Sequence, residues 1–169
     1  MTAPLPDLRL SPNFTLRELC RSETAARLGI VNVPDLAGVE LLRRVCIEIL
    51  EPVRAHFGRP VLVNSGYRSK ALNARIPGSS NTSEHTLCRA VDLEVPGVSN
   101  LDVARWIAQG GLRHGFRQLI LEAYTPGVPG SGWVHCSLAR AGAPPEVMTM
   151  QRVRKLGVMR TIYLAGLVA

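Results

Sequence analysis

Between Asp35 and Phe57, apolar residues recur at three- and four-residue steps: Val39, Leu42, Cys46, Ile49, Leu50, Val53 and Phe57. That spacing gathers them on one helix face, so the pattern predicts a long amphipathic helix over 35–57. Pro52 lies inside it without an amide hydrogen to donate, which predicts a kink or a restart. Gly58 and Pro60 close the run. Upstream, Thr15 and Glu18 form a Thr-x-x-Glu capping box that predicts a short helix through about Arg21. A turn around Gly29–Pro34 follows it. Met1–Asn13, with three prolines, reads as an extended lead-in.

After Pro60 the period shortens. Val61–Asn64, Ala90–Val95, Gln118–Glu122 and Trp133–Leu138 read as strands. Between them, Ser69–Arg75 reads as a short helix and Pro77–Asn81 as a polar loop. Ser99 or Asn100 caps a helix carrying Leu101, Val103, Ala104, Trp106 and Ile107, closed by Gly110–Gly111. A loop rich in glycine and proline, Ala123–Gly132, joins the last two strands as a hairpin. Beyond Ala143 no period emerges, and no internal repeat is present. Helices come first and strands later, which favours an α+β fold over a wound parallel sheet.

Strand alternation then separates two sets of residues. Val91, Leu93 and Val95 share one face, with Asp92 and Glu94 on the other. Trp133, His135 and Ser137 lie opposite Val134, Cys136 and Leu138. A carboxylate inside a strand needs a metal or a cation as partner. His85 follows the polar loop in Ser83-Glu84-His85. Two histidines and one carboxylate with an open fourth position make the usual catalytic zinc set. The alternative is a satisfied core histidine and a salt-bridged aspartate. His56 and His114 have no acidic or metal-binding neighbours in sequence and stay outside the candidate site.

Composition narrows the picture only a little. A chain of 169 residues suits one domain, with a core over about 14–140 and 141–169 as a C-terminal extension. A net charge of +7 suits an anionic partner, yet the basic residues are scattered apart from Arg152, Arg154, Lys155 and Arg160. No nucleic-acid-binding signature accompanies them, so nucleic acid is not an expected partner. The N-terminus lacks a basic stretch followed by an apolar run, and Val158–Ala169 is short and broken by Arg160. Synthesis in the cytoplasm without membrane insertion is therefore expected. Cys20, Cys46, Cys88 and Cys136 are expected to be free thiols.

Taken in order, Ser65-Gly66-Tyr67-Arg68-Ser69, Leu72-Asn73, Ser83-x-His85-x6-Asp92 and Trp133-Val134-His135 resemble the M15 family of zinc peptidases. The resemblance runs from about Phe14 to Leu138 and is strongest to the D-alanyl-D-alanine carboxypeptidase-like branch often encoded by bacteriophages. It implies a Hedgehog/D-Ala-D-Ala-peptidase-like fold, an antiparallel sheet flanked by helices. It also implies one zinc per chain on His85, Asp92 and His135, and bacterial peptidoglycan as the substrate. Arg68 would then lie beside the metal as a substrate anchor or charge stabiliser, the alternative being a structural pair with a carboxylate. Ser83 and Tyr67 are further candidates for substrate binding.

Two positions depart from the family pattern. Cys88 stands where glycine is usual, either as a fourth zinc ligand at His-x-x-Cys spacing or as a packing change. Gly132 stands where many relatives carry an acid three residues before the last histidine. The general base must then come from elsewhere, with Glu122 and Glu94 as candidates. A Leu-Ile-x-Glu strand ahead of Trp-Val-His favours Glu122 by resemblance. Glu94 is set back by its distance along the strand from Asp92. The family holds carboxypeptidases and endopeptidases, and the phage-like branch without a signal peptide points to an endopeptidase of lysis, released by a separate pore-forming protein. The alternative is a virion-associated structural protein that keeps the fold with little or no activity, its basic C-terminal tail docking to other virion proteins.

Overall fold

The computed structural model describes residues 8–155 and 157–168. The expected lead-in therefore lies outside the described residues as far as Asp7. Six helices precede or interrupt six strands: α1 Leu16–Cys20, α2 Glu23–Leu28, α3 Leu36–Val45, α4 Glu51–Phe57, α5 Lys70–Asn73, α6 Asn100–Trp106, β1 Leu62–Ser65, β2 Ala90–Glu94, β3 Phe116–Glu122, β4 Trp133–Leu138, β5 Glu146–Lys155 and β6 Val158–Ala165.

The local signals act where the sequence puts them. Thr15 and Glu18 close the capping box on α1, and Asp35 caps α3 through Gly38 N. The long apolar stripe is buried from Val39 to Val53. Pro52 does not break the helix. A π turn over Cys46–Leu50, with Glu51 N bonded to Cys46 O, widens the backbone just before the proline, and α4 starts again directly after it with Pro52 in its first turn. Gly58, in the left-handed conformation, ends it. α2 has no counterpart in the sequence reading. It is a six-residue helix capped by Ser22 and Gly29, and only Ala25 on it is buried.

The strands form one sheet in the order β1-β2-β4-β3-β5-β6. Four of the five neighbouring pairs are antiparallel, but β3 and β5 run parallel, from Gln118↔Glu146 to Glu122↔Met150. The sheet is thus mixed, which corrects the expectation of a purely antiparallel one. The cause is the connection after β4. The chain leaves β4 beside the start of β3, passes over it, and enters β5 from that same end. Residues past Ala143 build β5 and β6 of this same sheet.

Helices cover one face: α1 packs on β1, α3 on β4, and α6 on β3 and β4. Leu42, Ile49, Leu50 and Val53 meet Val91, Leu93, Leu119, Leu121, Val134 and Cys136 in a single core. The alternate residues of the same strands face the other way, where the short 3₁₀ turn over Glu84–Leu87 packs on β2. No helix among the described residues is long and apolar enough to cross a membrane.

Candidate metal centre and its cleft

Asp92 and His135 are direct partners across β2 and β4, so both side chains emerge on the open face at one level. His85 arrives from a 3₁₀ turn over Glu84–Leu87 that begins after Ser83. Gly66 fixes its ring: the Gly66 carbonyl accepts from His85 Nδ1 at 2.6 Å. A side chain at Gly66 would sit 2.3 Å from the Leu19 carbonyl, so only glycine lets that carbonyl come so close to the α1 end. His85, Asp92 and His135 are 2%, 5% and 6% exposed.

Their polar atoms form a small triangle. His85 Nε2 lies 3.1 Å from Asp92 Oδ1 and 3.1 Å from His135 Nδ1, and His135 Nδ1 lies 2.9 Å from Asp92 Oδ1. Tetrahedral zinc with bonds of about 2.0–2.1 Å needs donor atoms about 3.3 Å apart, so the triangle has the right scale. The protons argue the same way. His85 Nδ1 faces a carbonyl and must donate, which leaves a lone pair on Nε2 pointing at the Asp92 oxygen. Burial holds His85 below its usual pKa despite Asp92, so that ring stays neutral. Burial would raise the Asp92 carboxyl, but His85 and His135 outweigh it and hold it below the usual carboxylate range. Burial also opposes charge on His135, yet the Asp92 carboxylate, with Glu122 behind it, raises that ring. One proton on His135 satisfies one edge, while the His85–Asp92 edge brings two lone pairs together. A bound cation removes that conflict. His85, Asp92 and His135 thus form a buried group that can hold one metal ion.

The surrounding residues orient this group. Arg68 Nη2 donates to Asp92 Oδ2 at 2.8 Å and Nε to Ser65 Oγ at 2.9 Å, leaving Oδ1 directed at the histidines. Arg68 thus meets a carboxylate as the pairing alternative expected, while also lining both cavities described below. Asn32 holds Arg68 in turn. It is buried, its amide donates to Cys20 O and Tyr67 O at 2.9 Å each, and its oxygen accepts from Ser69 N at 2.7 Å. It therefore clamps the residues on either side of Arg68. Nothing in the sequence flagged Asn32, because its bonds go to backbone atoms far along the chain.

Cys88 takes the left-handed conformation, φ 57° and ψ 28°, which explains why glycine suits the position. Its thiol is not part of the metal-binding group. The side chain packs into the core against α3, so close that a Cβ on Gly38 would meet Sγ at 2.8 Å. Burial, with Asp35 adding to it, pushes its pKa up to about 12. All four cysteines are free, and Cys136 faces the core with its pKa raised by burial.

Two cavities, of about 530 and 570 Å³, flank Arg68 on the open face. The second is lined by His85, His135, Ser83 and Glu122, together with Ser79, Ser80, Met148 and Tyr163. Tyr67 lines only the first, beside Asp92 and Trp133, and its ring packs against the core. Glu122 thus shares a cavity with the two histidines. Burial raises its pKa to about 7, with the nearby Asp92 carboxylate adding to the rise. Glu94 lines neither cavity and accepts from Asn64 Nδ2 at 2.5 Å. Gly132 has a steric explanation: its φ is +67°, and a Cβ there would lie 1.9 Å from the Glu122 carbonyl. The position usual for an acid is filled by the backbone that carries Glu122.

His56 stacks on Trp106 at 4.4 Å, and His114 is exposed in a turn, both away from the metal-binding group. The hairpin residues Met148 and Tyr163 enter the cavity from a region whose strands the sequence did not reveal.

No curated protein matches the chain. The family model described as Peptidase M15 matches residues 12–123, which takes in His85, Asp92, Arg68 and Glu122 and stops short of His135. The model spans more than half of the 169 residues, and the strand beyond it delivers a second histidine to the same triangle. The chain belongs to the peptidase M15 family.

Proposed function

We propose that the protein is a zinc peptidase that hydrolyses peptide bonds in bacterial peptidoglycan. The observation that carries this reading is the buried His85–Asp92–His135 triangle sharing one cavity with a half-buried glutamate, Glu122. Zinc, when bound there, supplies Lewis acidity for the scissile carbonyl and for water. The protein's own residues supply the rest. Glu122, as a carboxylate, takes a proton from the attacking water and returns it to the leaving amine nitrogen. Its burial raises its basicity toward the working pH. Arg68 holds Asp92 and offers positive charge at the boundary of both cavities, where a substrate carboxylate or a developing oxyanion would lie. Ser83, which lines the same cavity, offers a hydroxyl to the peptide, and Tyr67 lines the neighbouring cavity.

The peptidoglycan substrate and a role in phage lysis rest on the family resemblance, with the enzyme reaching the wall after release from the cytoplasm. Purified peptidoglycan incubated with the zinc-loaded protein should gain free amino groups. Failure to release any amine from walls of several cross-link types would overturn the substrate. A second reading, a virion-associated protein, draws on the hairpin. β5 and β6 continue past Met150 paired only with each other, carrying exposed Arg152, Arg154 and Arg160. Stable incorporation into a particle would favour it.

A further inference from the structure

The family match ends at Ala123, yet the cavity holding Glu122 and His135 is walled on one side by the later hairpin. The register shows how. Glu122 pairs with Met150, and Met150 pairs with Tyr163, so the three form one row across β3, β5 and β6. Paired residues on neighbouring strands share a face, so the Tyr163 side chain emerges on the face that carries Glu122, about 10 Å away at the backbone. One row along, Ile120 pairs with Met148, and both line the same cavity. The Tyr163 ring remains 56% exposed, so it does little for the core. Burial first, and then the Glu122 carboxylate, raise the pKa of its phenol.

The two walls of the cavity differ in chemistry. Ser79, Ser80, Thr82 and Ser83 give one wall hydroxyls, suited to a peptide backbone, while Ile120, Met148 and Tyr163 give the other an apolar stretch, bordered by Glu122 at one end and by Gln118 with Glu146 at the other. We propose that the β5–β6 hairpin is a specificity-determining wall of the cleft, and that Tyr163 with Met148 and Ile120 takes an apolar side chain next to the scissile bond. The bland alternative, a solvated tyrosine on an edge strand, does not account for its place in the cavity wall opposite the hydroxyl-rich loop. The proposal rests on the peptidase reading above.

The test uses the zinc-loaded full chain and soluble cross-linked muropeptides, with steady-state kinetics for wild type, Tyr163→Ala and Tyr163→Phe. Removing the ring should raise KM roughly tenfold and leave kcat within about twofold, the signature of binding shared by ground and transition states. Tyr163→Phe should behave like wild type, and zinc content should be equal in all three. Unchanged KM in Tyr163→Ala, or a loss in Tyr163→Phe as large as in Tyr163→Ala, overturns the apolar wall. Loss of zinc from Tyr163→Ala overturns it as well, by showing a structural role. If wild type cleaves nothing, the peptidase reading falls and this inference falls with it.

Discussion

Leu121 and Glu122 are neighbours in β3, and Cys136 and His135 are neighbours in β4, yet each pair divides between two opposite environments. Leu121 and Cys136 are fully buried beneath the helices, where removal of apolar surface from water stabilises the fold. His135 and Asp92 on the other face are almost as buried, at 6% and 5% exposure, but there burial works against the charged forms. Equal burial has opposite energetic signs on the two faces. The helical face stabilises the sheet, and the open face spends part of that stability on polar groups held close together. Residues one position apart should therefore fail in different assays.

The largest expected effect is on rate. Glu122→Gln should keep zinc and the fold while lowering peptidoglycan hydrolysis about a hundred- to ten-thousand-fold, the usual cost of losing a general base. A wild-type rate in this variant would remove Glu122 from the mechanism and bring Glu94→Gln forward as the next assay. Its neighbour should do the reverse. Leu121→Ala should lower unfolding stability by about 2–5 kcal/mol, because a fully buried leucine leaves a cavity between β3 and the helices. Folded Leu121→Ala protein should retain zinc. A loss of zinc without a loss of stability in denaturant titration would blur the division between the faces.

A smaller effect concerns pH. Burial raises Glu122 to about 7 from the ordinary carboxylate value of 4.5, so the native metal-free protein holds this proton more tightly than the unfolded chain does. The favourable contribution is complete below about pH 4.5 and is lost as pH rises through 7. Between those limits, metal-free wild type should lose roughly 1–3 kcal/mol relative to Glu122→Gln. Paired denaturant titrations at pH 4.5 and 7.5 measure the difference. No change in that gap would mean that Glu122 is not desolvated.

How much of this was readable in the sequence depended on whether the signal was local. The capping box at Thr15, the stripe from Val39 to Val53 and the alternation around Asp92 and His135 each arise from residues a few positions apart, and each took the expected form. α2 escaped because only Ala25 on it is buried, leaving no apolar stripe to detect. The β5–β6 hairpin escaped for a different reason. β6 is exposed along most of its length and so shows no clean alternation, and β5 pairs with β3 about thirty residues earlier, a contact that no local pattern announces. Gly132 could be noticed as a missing acid, but the reason lies in the Glu122 backbone passing through the space. Asn32 and Tyr163 depend on contacts that only the folded chain creates.

Metal stoichiometry tests the central claim most directly. Elemental analysis of the protein purified without chelators, wild type beside His135→Ala, should find one zinc per wild-type chain and less than about a tenth of that in the variant, with the sheet intact by circular dichroism. Stoichiometric zinc in folded His135→Ala would contradict the assignment of the site to His85, Asp92 and His135.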